Sequence, residues 1–127
     1  MVRALDIPRD PRAPAQARHL VDALVPHVPE PVAHQARLLL SELVTNAVRH
    51  GRGPAVRVLL DASAGDGTLR CEIVDEGDGF VPTARTRPAT EPGGWGLHLV
   101  EALSRRWGVR EGSTHVWFEL GDPDEAR

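Results

Sequence analysis

Apolar positions recur at helical spacing in three stretches of the chain and at alternating spacing in five others. In residues 13–25, Ala17, Leu20, Val21 and Leu24 fall on one stripe and predict an amphipathic first helix. The segment 26–31 carries Pro26, Pro29 and Pro31 and breaks that period; Pro31 suits an early position of a longer second helix ending near His50, with Gly51 as its stop. Within it Ala36, Leu40, Leu43, Val44 and Ala47 form the buried stripe. A third helix opens at Gly93-Gly94-Trp95-Gly96 and continues through Leu97, Val100, Leu103 and Ser104. Strands are expected at residues 2–7, closed by Pro8, and at 55–61 and 68–75, joined by a Gly- and Asp-rich turn as a hairpin. Two more, at 107–110 and 114–120, flank Glu111-Gly112-Ser113 as a second hairpin. The order β-α-α-β-β-(loop)-α-β-β predicts an α/β two-layer sandwich, a mixed, mostly antiparallel sheet with three helices on one face.

The polar positions of the second helix ask for more than a solvated surface. At 100° per residue, Glu42, Asn46 and His50 lie within about 80° of one another, with Arg49 about 20° to the other side of Glu42. This polar line borders the apolar stripe, so a carboxylate and an amide there are half desolvated and need partners. A plain polar flank ending at a glycine cap is the alternative that the helix alone leaves open.

Two glycine clusters alter that balance. The strand ending at Val74 runs into Asp75-Glu76-Gly77-Asp78-Gly79-Phe80, where Gly77 and Gly79 let backbone approach a ligand without a Cβ in the way. Gly94 and Gly96 stand at the third helix start, where exposed amides and small residues favour anions. Between the clusters, residues 81–92 hold three prolines, three threonines and two arginines with no apolar period, and are expected to form a mobile lid over about 80–93.

Composition narrows the chemistry. The chain has 127 residues, enough for one domain with a real core and no disulfide or metal, and residues 121–127 read as a polar tail. A net charge of −3 gives no support for binding nucleic acid directly. All 15 basic residues are arginine, so a lysine-dependent phosphate loop, a catalytic lysine and a Schiff base are excluded. The single cysteine, Cys71, sits in an apolar strand and reads as a structural thiol. The histidines have no metal-site spacing, and no secretory signal or membrane span is visible, so a cytoplasmic location is expected.

A helix with Glu-x3-Asn-x3-His, a strand ending in Asp-x-Gly-x-Gly, a lid and a Gly-x-Gly helix start, in that order, resemble the Bergerat ATP-binding fold of the histidine-kinase-like (GHKL) ATPase superfamily, over about residues 7–120. Within it, IPRDPRAPAQAR, SELVTNAVRHG, VDEGDGF and GGWGLHLVEALSRRWGV followed by GSTHVWFEL resemble the anti-sigma regulatory factor branch, serine/threonine kinases. The resemblance implies ATP and Mg²⁺ as cofactors. It implies Asn46 as the Mg²⁺ ligand, Glu42 as the general base, Arg49 and His50 near the phosphates, and Asp75 as acceptor for the adenine amino group. Gly77 and Gly79 would shape the base pocket; Gly94, Trp95, Gly96 and Leu97 would surround the phosphates beneath the lid; and Thr114 would stand beside the adenine, unless it is an ordinary strand threonine. The implied activity is γ-phosphoryl transfer to a serine or threonine of an anti-sigma-factor antagonist, together with sequestration of an alternative sigma factor and homodimerisation. Arg18 is a candidate partner contact, or simply a solvated helix charge. A non-catalytic ATP-gated adaptor of the same fold is the competing function. An ATP-hydrolysing fragment of a larger sensor or repair ATPase fits less well, because those need further domains.

Overall fold

A computed structural model of the chain describes residues 1–51, 53–75, 95–110 and 115–121. Five strands and three helices follow in the expected order: β1 (Val2–Pro8), α1 (Ala13–Asp22), α2 (Glu30–His50), β2 (Ala55–Asp61), β3 (Leu69–Val74), α3 (Trp95–Leu103), β4 (Arg106–Arg110) and β5 (His115–Leu120). The strands form one sheet in the order β1-β2-β3-β5-β4. The sheet is antiparallel at each of its four pairings, so the mostly antiparallel sheet expected from the sequence contains no parallel pair among the described residues. The reason is the placement of β5: it returns between β3 and β4 and runs against both, so β3 and β4, which share a direction, never meet.

Alternation decides which side of the sheet faces the helices. Val56, Val58 and Leu60 of β2, Leu69, Cys71 and Ile73 of β3, and Val116, Phe118 and Leu120 of β5 are all buried. The register puts them in rows across the sheet, for example Val58 opposite Ile73 and Ile73 opposite Val116. Intervening residues form the other face, polar and more open.

Helix α2 is central to the helical layer, packing on α1 and α3 and on β2, β3 and β5. Its buried residues include the whole expected stripe, Ala36, Leu40, Leu43, Val44 and Ala47, joined by Val32, Ala33 and Leu39. Its start follows from proline chemistry: Pro29 caps it in an extended conformation, and Pro31 sits in the first turn, where a missing N–H costs nothing. Helix α1 stops at Asp22, three residues before the expected end, and residues Val25–His27 form a separate 3-10 turn. Pro26 explains the difference, since it has no N–H to donate to the Asp22 carbonyl four residues back and its ring clashes there. The β2–β3 turn uses left-handed glycines, Gly65 at φ 75° and Gly67 at φ 84°. Asp61 and Asp66 each accept a bond from the amide two residues on, at 2.8 and 2.9 Å.

Candidate nucleotide site

Glu42 and Asn46 lie one helical turn apart on α2, in its C-terminal half. Asn46 is 8% exposed and is the buried polar side chain among the described residues. Its position is forced by its neighbours: Leu43, Val44 and Ala47 are drawn into the core, and the amide follows them to the edge of the buried face. Among the described residues nothing hydrogen-bonds that amide, so its carbonyl oxygen is available to a ligand. Glu42 is half-buried, and Arg49 and His50 are exposed on the last turn.

The end of α2 is held from outside the helix. Helix ends leave carbonyls without intrahelical partners. Here the Ala47 carbonyl accepts from the Gly51 amide at 2.9 Å and from Nη1 of Arg9 at 2.6 Å. Arg9 was not among the residues singled out from the sequence.

Asp75 is half-buried and directly follows β3, which packs beneath α2; two residues earlier Ile73 is in the core with Leu43 and Ala47. Trp95, Gly96 and Leu97 form the first turn of α3, which packs on α2. The structure therefore packs both β3 and α3 on α2, the helix that carries Glu42 and Asn46. Gly77, Gly79, Gly94 and Thr114, with the expected lid, lie outside the described residues.

The donor set fits Mg²⁺ held against phosphates. Among the described residues no three His, Cys, Asp or Glu side chains converge on one point. Magnesium in phosphate sites takes one or two protein oxygens, the phosphates themselves and water, and a single available amide oxygen meets that need.

The face of the sheet away from the helices carries a network that the sequence did not disclose. His115 Nε2 lies 2.9 Å from Glu72 Oε1 across the β3–β5 pair. Arg70 reaches Glu119 at 3.3 Å and stacks 4.3 Å from the centroid of Trp117, while Nε of Arg106 donates to the same Glu119 at 2.9 Å. Each contact joins residues brought together by register, and no local pattern announces them. Arg18, on α1, is exposed and donates to the Ser41 hydroxyl of α2 at 2.8 Å. Burial pushes the Cys71 thiol far above its ordinary range, as its strand setting implied.

These elements make a two-layer α/β sandwich with a polar line on the edge of its central helix. The family model for the histidine kinase-like ATPase domain matches residues 7–120, and the chain belongs to that family. Among solved structures, the chain is similar to the RsbU and RsbW domains of Rv1364c from Mycobacterium tuberculosis, with a TM-score of 0.66 and 21% identity. That match covers 94% of this chain and 31% of the other, so the chain spans about a third of the length of that protein. No functionally curated sequence matches the chain. Membership in an ATPase domain family implies ATP as the ligand. Among the described residues no helix is long and apolar enough to cross a membrane.

Proposed function

We propose that the chain is an ATP-dependent regulator of the anti-sigma-factor type, a serine/threonine kinase that phosphorylates an antagonist protein and sequesters an alternative sigma factor. The observation that carries this reading is the pairing on α2 of a half-buried carboxylate, Glu42, with a buried amide, Asn46, one turn on, whose oxygen no described residue claims. The match to a chain containing an RsbW domain supports the regulatory half of the proposal.

On this reading each residue has a chemical role. Asn46 offers its amide oxygen to Mg²⁺, which, when bound, neutralises charge on the phosphates. Asp75 accepts from the adenine amino group, which guanine lacks at that position. Arg49 would offer positive charge and His50 a ring nitrogen to the phosphates, and Gly77, Gly79, Gly94, Gly96, Trp95, Leu97 and Thr114 would complete the pocket. An acceptor hydroxyl oxygen attacks the γ-phosphorus as the bond to the β,γ-bridging oxygen breaks; ADP leaves, and Glu42 takes the hydroxyl proton.

One observation favours an ATP-gated adaptor instead. A general base is ordinarily oriented by a partner, and among the described residues Glu42 has no hydrogen-bonding side chain. Calorimetric titration with ATP and GTP, with and without Mg²⁺, followed by phosphate transfer to candidate antagonist proteins, decides between the readings. Adenine-selective, Mg²⁺-dependent binding with transfer upholds the kinase. The same binding without transfer leaves the adaptor, and absence of ATP binding overturns both.

A further inference from the structure

Arg9 ties together three segments that meet at the end of α2. It is the first residue after β1, and its backbone amide donates to the Pro54 carbonyl at 3.0 Å, beside the start of β2. Its side chain spans from the same turn to the helix: Nε donates to the Gly53 carbonyl at 2.8 Å, and Nη1 to the Ala47 carbonyl at 2.6 Å. One residue thereby joins the end of β1, the last turn of α2 and the turn into β2.

The residue type matters for two reasons. A guanidinium presents donors in a fixed planar fork and can serve two carbonyls at once, whereas an ammonium is a point charge on a flexible stem. A cation at the negative end of a helix is also favourable. The fit is close, because a Cβ on Gly51 would stand 2.6 Å from the Ala47 oxygen and 2.7 Å from Nη1 of Arg9. Glycine at 51 is the condition for both bonds to the Ala47 carbonyl.

Ala47 directly follows Asn46, and Arg49 and His50 share the same last turn. We propose that Arg9 is a positioning residue of the nucleotide site: by clamping the Ala47 carbonyl to the 53–54 turn it fixes the end of α2 and, through it, the Asn46 amide oxygen. The proposal rests on the MgATP reading above. Arg9 acts on Asn46 through the backbone of the next residue, and a site held by its supporting shell in this way keeps its affinity through geometry.

The test uses Arg9→Met and Arg9→Lys in the full chain, with amide hydrogen exchange on the nucleotide-free protein and calorimetry with MgATP and with adenosine. Adenosine reads the base end of the site and bypasses the metal. In Arg9→Met the Gly51 amide, which bonds the same carbonyl, exchanges faster; MgATP affinity falls about 10-fold while adenosine affinity holds, and Arg9→Lys recovers part of the loss. Unchanged Gly51 exchange overturns the proposal, as does full MgATP affinity in Arg9→Met. A parallel fall in MgATP and adenosine affinity with a lowered thermal midpoint also overturns it, by reducing Arg9 to a general stabiliser. A wild-type chain that binds no MgATP, yet shows faster Gly51 exchange in Arg9→Met, overturns the nucleotide reading and the positioning role with it, and upholds the clamp alone.

Discussion

Asn46 follows Glu42 by one turn on α2, and of the two only the amide is buried. The pair therefore divides into separable roles. Removing the Asn46 amide takes away a group that bonds no described residue, so Asn46→Ala should change folding stability by only about 1 kcal/mol or less. Its expected effect is on Mg²⁺-dependent ATP affinity, with metal-free affinity little changed. Glu42→Gln keeps shape and removes the basic oxygen, so it should retain MgATP binding and lower phosphate transfer by about 100-fold or more. Calorimetry and a transfer assay on the same two variants read both effects. Equal MgATP affinity in Asn46→Ala would remove that residue from the metal site.

The Trp117 ring lies over Gly108, its partner in the β4–β5 register, and a Cβ at 108 would come within 2.6 Å of the indole nitrogen and 2.8 Å of the adjoining ring carbon. Arg70 covers the ring at 4.3 Å. A glycine in a strand is otherwise a cost, and here the aromatic ring fills the space it leaves. Gly108→Ala should destabilise the fold by about 1–3 kcal/mol, as overpacking does. Arg70→Met should cost about 0.5–2 kcal/mol, since it removes the cation–π contact and the Glu119 ion pair together at a partly exposed site. Urea unfolding measures both, and an unchanged midpoint for Gly108→Ala would show that the ring can swing aside freely.

Cys71 is fully buried between Leu60 and Phe118 in the sheet register, and its thiol is held far above its ordinary range by burial alone. The thiolate is the nucleophile, so the folded protein should resist iodoacetamide at about pH 8. Labelling should appear only with global unfolding and track its denaturant dependence. Rapid labelling of the native chain would contradict the burial.

The elements were legible because their signals are local. The helical stripe of α2 and the alternation in β2, β3 and β5 each sit within one segment, and the turn residues Gly65, Asp66 and Gly67 mark a hairpin without reference to the rest of the chain. The sheet order was not legible to the same degree. Whether β5 inserts beside β3 or adds outside β4 depends on which edge buries Phe118 and Val116, a property of the assembled core. The helix edge at Glu42 and Asn46 could be read because periodicity places both residues relative to the stripe they share. Arg9 could not, for its partners lie in α2 and in the turn beyond it, and nothing in IPRDPR indicates a helix end waiting 38 residues on. The same distance in sequence hid the pairing of Glu72 with His115, 43 residues apart.

Acid should weaken the β2–β3 turn. The Ser63 hydroxyl and amide hold the Asp61 carboxyl below the ordinary carboxylate range, with the chain's amino terminus and Arg70 adding to the effect, and the amide bond is 2.8 Å. Because the folded-state value is depressed, the ionised form stabilises the fold at pH values above the unfolded-chain value. That contribution is lost as pH falls through the folded-state value. Asp61→Asn keeps an oxygen that can accept the Ser63 amide bond and removes the charge, so the variant should be less stable than the parent near neutrality and should converge with it in acid. Asp66, held down in the same direction by Thr68, remains in both proteins and sets a shared background. Thermal midpoints of parent and variant compared between about pH 7 and about pH 2 test the sign. A gap that stays constant with pH would show that charge at Asp61 contributes nothing, and that the turn is held by its neutral hydrogen bonds and its two left-handed glycines.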